Sequence, residues 1–297
     1  MILPTGLDRP FQLLYSEPVA VPSLPAAYRA LYPGDWPMQA HADRPYIYTN
    51  FAPSRDGRIS FNEPNATDAS HVTKADPHDR WLMGLLRVRA HAILVGDNTV
   101  RLEPGHIWTP EFICPPEAAA FADLRQAEGY SPVPKLVILS FDGNLDFSEE
   151  RFQNPDLHII LATTARGAAH AAAVDLAGQC AAGVDVLTLG GDSVDLHRLV
   201  RVLYSDYAIH NLLCEGGARV FANFLDAGLV DEEFITLCPT FVGRSPERFR
   251  PSYTEGVAWT PGNAPYSQPV SIHKSGDYLF LRTRCRYPAS TRAEATQ

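Results

Sequence analysis

The sequence predicts an α/β fold: a mainly parallel central sheet flanked by helices, with antiparallel strands at the C-terminal end. Three observations carry that prediction. Short apolar runs without in/out alternation recur along the chain, as strands covered on both faces require. Segments of helical spacing stand between them, the order that builds parallel sheets. From residue 233 onward two strand-like runs follow with no long helix between them, so the last strands must turn back on themselves.

Residues 1–40 carry seven prolines and read as an extended arm with one short helix at 25–31, lying over the body or over a partner subunit. From Pro45 the pattern changes. PYIYTNF, rich in aromatic and β-branched residues, reads as a strand, and PSRDGRIS as a turn leading to a short extended piece. In DPHDRWLMGLLRVRA, Asp76 is placed to cap a helix with Pro77 at its first position. Trp81, Leu82, Leu85, Leu86 and Val88 then recur at helical spacing. AILVG (92–96), KLVILS (135–140), LHIILATT (157–164), VDVLTLGG (184–191) and IHNLLCEGG (209–217) are strands; ARGAAHAAAVDLAGQC (165–180), DSVDLHRLVRVLYSDY (192–207) and ARVFANFLDAGL (218–229) are helices. EFITLCPTFVG (233–243) and YLFLRTRCRY (278–287) close the sheet, and the proline- and glycine-rich stretch 244–277 is a surface excursion. One domain over 41–287 results, with residues 288–297 expected to be disordered.

Composition narrows the function. With 297 residues, 45% apolar and 20% charged, the chain is an ordinary globular protein with ample core. A net charge of −9 argues against a nucleic-acid groove or an anionic membrane surface as partner, and no run approaches membrane-spanning length. Five cysteines stand singly, an odd number without a C-x-x-C pair, as expected of reduced thiols. MILPTGLDRP has neither the basic nor the apolar region of a signal peptide, so the expected location is cytoplasmic.

Three junctions at the C-terminal ends of apolar strands carry glycine and small polar residues: VGDNT (95–99), LGGDS (189–193) and CEGGAR (214–219). Open α/β sheets bind ligands at that edge, and unobstructed backbone N–H groups at a helix start suit a pyrophosphate. Three such junctions in succession favour a dinucleotide-sized ligand, although any one alone is an ordinary turn. No G-x-G-x-x-G occurs, which disfavours a standard Rossmann site. Arg219 falls in the first turn of its helix, where the dipole disfavours a cation by about 0.3–1 kcal/mol, so it either faces a bound anion, pairs with Glu215 or lies on the plain surface. Asn50, closing a strand, and Ser54 and Asp56 on the following turn supply polar groups able to orient a heterocycle; an Asx-type turn is the simpler explanation. His71, Asp76, His78 and Asp79 match no metal-site spacing, and Ser193 stands in no nucleophile-elbow pattern.

RPYIYTNFAPSRDGRIS, then DRWLMGLLRVRAHAILVGDNTVRLE, then NLLCEGGARVFANFLDAGLVDEEFITLCPTFVG together resemble the RibD C-terminal family, the reductase domain of riboflavin biosynthesis, with its dihydrofolate-reductase-like fold. The resemblance covers about residues 44–243 and implies NADPH-dependent reduction of a ribosylamino pyrimidine phosphate. It places Gly96 and Thr99 beside the nicotinamide, with Glu103 as an acid near the cofactor. Gly190, Gly191 and the loop Glu215–Gly216–Gly217–Ala218, followed by Arg219, would surround the pyrophosphate. Ser140 falls near the adenosine ribose and its 2′-phosphate, where Thr164 and Arg166 are added because arginine suits phosphate. Asn50, Ser54 and Asp56 line the pyrimidine or pterin pocket, and Asn50 and Asp56 are the candidate catalytic groups. Glu215 is expected to accept hydrogen bonds from the neighbouring loop N–H groups or from Arg219. Two departures stand out. TVRLEPGHIW lacks the family's Asp-Asp-Pro-Arg stretch, leaving Arg101 as the nearest cation for the substrate phosphate, and Gly-Gly-Ala-Arg replaces Gly-Gly-Pro-Thr. No zinc deaminase motif precedes the reductase segment, as in the stand-alone pyrimidine reductase branch. The family is typically homodimeric. The alternatives are a dihydrofolate or pterin reductase of the same fold and a non-catalytic NADPH-binding protein.

Overall fold

The structure, a computed structural model, describes residues 6–288. β1 (Gln12–Ser16) and α1 (Ala26–Leu31) precede β2 (Tyr46–Phe51). α2 (Ser70–Thr73) and α3 (Pro77–Val88) lead to β3 (Ala92–Gly96), then α4 (Asp97–Leu102), α5 (Pro110–Ile113) and α6 (Ala118–Ala127). β4 (Lys135–Ser140) and β5 (His158–Thr163) are followed by α7 (Ala165–Ala172) and α8 (Leu176–Gln179). The chain closes with β6 (Gly183–Thr188), α9 (Leu196–Ser205), β7 (Asn211–Cys214), α10 (Ala218–Asp226), β8 (Glu232–Leu237), β9 (Tyr266–Ser275) and β10 (Tyr278–Arg286).

All ten strands join one sheet in the order β1-β9-β10-β8-β2-β7-β3-β4-β5-β6. From β8 through β6 every neighbouring pair is parallel; β10, β9 and β1 add antiparallel strands at the other side. The parallel strands are buried on both faces, which is why β2 and β3 show no alternation of buried and exposed residues. Trp81, Leu85 and Phe121 from α3 and α6 cover one face; Leu199, Leu203, Phe221 and Phe224 from α9 and α10 cover the other. β3 to β6 run outward in sequence, and the chain then returns to insert β7 between β2 and β3. That reversal is the switch point at which open sheets form a crevice.

Four differences from the sequence reading have local causes. Residues 6–40 are not merely an overlying arm: β1 pairs with β9, and Phe11, Tyr28, Tyr32 and Trp36 are buried in the core. The excursion is shorter than 244–277, because β9 occupies its last part; Pro269 and the polar residues around it disguise that strand, and Pro269 is tolerated where the β9–β10 register shifts. α6, with three successive alanines at its start, is poorly marked by apolar spacing. The helix expected over 165–180 breaks into α7 and α8 because Asp175 turns its carboxylate onto Gly178 N–H, capping a new helix. The tail expected to be disordered lies outside the described residues from 289 onward.

Candidate active site at the C-terminal edge of the sheet

Strand register places the candidates along one edge. Thr49 pairs with Cys214, Leu94 with Cys214, Gly96 with Leu139, Ser140 with Thr163 and Thr163 with Thr188. Asn50, Glu215, Gly96, Ser140, Thr164 and Gly190 therefore follow one another across six strands. At about 4.8 Å per strand, the edge from β2 to β6 measures roughly 24 Å.

Helix starts along this edge divide into two kinds. α7 is closed by its own side chain, since Thr164 Oγ1 accepts from Gly167 N–H, and α9 is closed by Asp195, which accepts from Arg198 N–H. α4 and α10 begin from glycines, Gly96 and Gly217, and neither has a side-chain cap. The two open starts flank the switch point. α4 carries Asp97 in its first turn, so its positive end already faces a carboxylate; α10 has no acid there. The first N–H groups of α10 therefore lack both a side-chain cap and a neighbouring acid.

The Gly216–Gly217 loop is shaped for close approach. Gly216 has φ +94°, and a Cβ there would lie 2.9 Å from the Phe51 ring. A Cβ on Gly217 would lie 3.4 Å from Thr99 Oγ1. Gly96 N–H donates to Gly216 O at 2.7 Å, tying the open starts of α4 and α10 together. The peptide between the two glycines is cis.

Glu215 does not bond its own loop or Arg219. Arg87 of α3 meets it with a bidentate pair, Nε to Oε1 at 2.9 Å and Nη2 to Oε2 at 2.7 Å, with both side chains buried. The expectation fails because the carboxylate turns toward Arg87 of α3, while Glu215 N–H donates to Leu94 O of β3. Arg87 also donates through Nη1 to Thr109 O and through Nη2 to His106 Nε2 at 3.1 Å. A guanidinium has no acceptor, so His106 Nε2 accepts and its proton sits on Nδ1, which donates to Glu103 at 2.9 Å. Glu215, Arg87, His106 and Glu103 thus form one continuous chain of hydrogen bonds behind the edge.

The matching family model is the RibD C-terminal domain, which covers residues 45–260. This chain belongs to that family. Among similar curated proteins, a 2,5-diamino-6-ribosylamino-4(3H)-pyrimidinone 5′-phosphate reductase of Archaeoglobus fulgidus is 24% identical over 67% of this chain and 83% of its own. The protein of the same name from Methanothermobacter thermautotrophicus is 27% identical over 67% of this chain and 80% of its own. Among solved structures, a pyrimidine reductase-like protein from Corynebacterium diphtheriae superposes with a TM-score of 0.60 at 21% identity, over 82% of this chain and 93% of that one. Acinetobacter baumannii RibD gives 0.58 at 21% identity, over 82% of this chain and 59% of that longer one. The fold is the dihydrofolate-reductase-like one of RibD reductase domains.

Within this RibD C-terminal fold, several expected site residues have structural work of their own. Asp56 accepts from Ser54 Oγ, Val242 N–H and Gly243 N–H, fastening the turn after β2 to the segment after β8. Burial pushes its carboxyl upward, but those three donors outweigh burial and hold it below the usual range. Ser54 is buried, with its hydroxyl donating to Asp56 and accepting from Arg58 N–H. Asn50 is buried at the end of β2, and its amide forms no side-chain hydrogen bond among the described residues; of the three it alone has donors and acceptor left for a ligand. Ser140 is also spoken for, donating to Asp97 at 2.8 Å and accepting from Gly143 N–H. It therefore positions Asp97 and the 141–144 turn, with its hydroxyl proton committed to Asp97.

Gly190 and Gly191 lie four strands from Gly217, roughly 19 Å along the edge, so one pyrophosphate cannot touch both loops. Gly190, at φ +127°, instead directs its carbonyl to Ala165 N–H. Thr164 is buried and donates to Phe141 O as well as capping α7. Arg166 lies over the exposed Phe141 ring, its Cζ 4.6 Å from the centroid. Arg101 pairs with Asp97 at 3.3 Å and donates to Asn144 O. Sequence reasoning missed Arg87 and His106. RVRA marks Arg87 as a helical arginine, but nothing local points to a partner at residue 215.

Proposed function

We propose that this protein is an NADPH-dependent reductase of a ribosylamino-pyrimidine 5′-phosphate, acting as a cytoplasmic homodimer. The observation that carries the reading is the open, acid-free start of α10 at the switch point of a RibD C-terminal sheet. The names of the similar curated proteins favour the pyrimidine over a folate or pterin. Free cysteines, four of them buried, suit a reducing compartment. The homodimer rests on the family resemblance, and the oligomeric mass in solution tests it.

The residues present fit a dinucleotide. Ala218 and Arg219 N–H groups receive the diphosphate, with Gly216 and Gly217 leaving the approach free of side chains. Gly96 and Thr99 flank the loop on the side of β3. The edge from β7 toward β6 is long enough for the adenosine half. Phe141 with Arg166 over it forms a flat cationic platform near β4 and β5, which supports the 2′-phosphorylated cofactor over its unphosphorylated form. When bound, the cofactor supplies the hydride. The chain orients both partners: Asn50 fixes the heterocycle by its amide, and the Arg87–Glu215 pair keeps the glycine loop at a fixed height over β3.

Purified protein is to be mixed with NADPH and either the ribosylamino pyrimidine phosphate or dihydrofolate while nicotinamide absorbance is followed. Oxidation with the pyrimidine alone is expected. Turnover of dihydrofolate alone sinks the reading, and tight NADPH binding without turnover of either marks a non-catalytic binder. Gly217→Asp should abolish NADPH binding while leaving the far-ultraviolet circular dichroism unchanged. Retained affinity in that variant overturns the placement of the diphosphate.

A further inference from the structure

The family's Asp-Asp-Pro-Arg stretch is replaced here, so its arginine is missing from the segment after Thr99. Arg101 does not replace it, being engaged with Asp97 and Asn144 O. A different set of arginines gathers on the other side of the glycine loop, built by a segment that the reaction as described leaves without a role.

After β8 the chain runs through GRSPERFRPSYTEG, residues 243–256, and folds back over the site. Ile59 N–H donates to Pro251 O, Tyr253 N–H to Gly57 O, and Arg58 forms a β-bridge with Ser252. Glu255 N–H donates to Ala218 O, at the first residue of α10. Tyr253 packs its ring 5.2 Å from Phe51 and 4.8 Å from Phe221. These contacts bring Arg58 and Arg244 near the Glu255 carboxylate and set Arg219 beside Gly256. Burial raises the Glu255 carboxyl, but hydrogen bonds from Ser252 and the nearby Arg244 and Arg58 charges bring it below its ordinary value. A Cβ on the adjoining Gly256 would lie 3.6 Å from Arg219 Cγ.

The arginines of this region fall into two groups. Arg248 and Arg250 both contact Glu63, at 3.4 Å and 3.0 Å, and hold the segment to the loop after β2. Arg58, Arg219 and Arg244 make no carboxylate contact within 4.0 Å among the described residues. Glu255 is itself held by Ser252 N–H at 2.8 Å and Ser252 Oγ at 2.6 Å, so this pinned acid stands near Arg58 and Arg244 with no room to pair fully with either, and Arg219 runs beside the next residue, Gly256. Arg58 Nε is buried with no acceptor. A buried unsatisfied donor is costly, most of all on a charged group, unless a ligand supplies the acceptor.

We propose that Arg58, Arg219 and Arg244 form a phosphoryl-binding site that seats the phosphomonoester of the substrate, with residues 244–256 as its outer wall. The placement rests on the reductase reading above. Arg58 N–H bonds Ser54, four residues past Asn50, and Arg219 lies two residues past Gly217, so the site adjoins both the heterocycle pocket and the cofactor loop. A phosphomonoester dianion accepts several guanidinium N–H bonds at once, a demand that a carboxylate already held by Ser252 does not meet. The dinucleotide carries the same phosphoryl chemistry and is the other source of such a group.

The test uses the full chain with ribose 5-phosphate as probe and ribose as control, measured by titration calorimetry, and NADPH followed by fluorescence on the same samples. Ribose 5-phosphate should bind and ribose should not. Arg58→Gln and Arg244→Gln should each weaken ribose 5-phosphate by about tenfold or more, as loss of a charge-assisted bond implies, while NADPH affinity holds. Arg58→Lys keeps the charge and should retain part of the binding, which separates loss of contact from loss of fold. Equal ribose 5-phosphate affinity in variants and native protein overturns the site. Loss of NADPH affinity with ribose 5-phosphate binding intact assigns the arginines to the dinucleotide and overturns the substrate placement. Failure of the native protein to bind NADPH sinks the reductase reading, yet leaves the ribose 5-phosphate comparison valid.

Discussion

At the scale of the residue, the decisive pair is Arg87 with Glu215. Both side chains are buried, so each charge depends on the other for compensation. Arg87→Met leaves Glu215 alone in the interior and should cost about 3–5 kcal/mol in urea unfolding. The double variant with Glu215→Gln should recover part of that loss; if it is no more stable than the single variant, the pair is not the source. Asp79 offers a separate reading by pH. Burial first, and then the neighbouring Asp76 carboxylate, push its carboxyl from 3.8 up to about 6. Its ionised form therefore weakens the fold above that pH. Between about 6 and 3.8 the native state binds a proton that the unfolded chain does not, so its contribution to stability rises as pH falls through that window. Asp79→Asn should stabilise the protein at pH ~8 by up to about 3 kcal/mol, a gain that shrinks toward pH ~4. An equal gain at both pH values would contradict the assignment. Neither residue was legible locally: Glu215 finds its partner 128 positions away, and the aspartates of DPHD look alike until one caps and the other is buried.

Elements with strong local signals were legible to within a few residues. Asp76 with Pro77 announces α3, and its carboxylate does accept from His78 and Asp79 N–H. Asp76→Ala should lower stability by about 1 kcal/mol in thermal or urea melts, as lost caps do. The glycine loop was equally visible, although its division of labour was not. Only the finished edge shows that α7 and α9 cap themselves while α10 does not, and that Gly190 is too far from Gly217 to share its anion. Gly216→Ala places a methyl against Phe51 in a left-handed conformation, which costs about 1–3 kcal/mol and should weaken NADPH binding more than it lowers the melting temperature. Elements whose residues serve long-range pairing stayed hidden. β9 has polar positions and a proline because its partners β1 and β10 supply the order, and β1, an exposed five-residue strand, is set in a proline-rich stretch that hides it.

On the scale of the whole molecule, residues 6–40 complete the core. Trp36 packs edge-on to Tyr48 and Phe234, its carbonyl accepts from Arg89, and Asp35 O accepts from Arg282. A chain beginning at residue 41 loses these contacts and exposes the face of α3 beneath Phe11 and Tyr28. It should fail to unfold cooperatively or melt far below the full chain; equal melting temperatures would show the arm to be dispensable. The open start of α10 bears on the melting temperature in the opposite direction. A helix whose first amides have no internal partner gains from an acceptor bound there, so under the proposed function the cofactor would complete the start of α10 as well as supply the hydride. Saturating NADPH at a hundred times its dissociation constant should add about 2.7 kcal/mol to the native state by mass action alone. Melting curves taken over a series of nucleotide concentrations would then rank NADPH, NADH and their oxidised forms before any substrate is in hand.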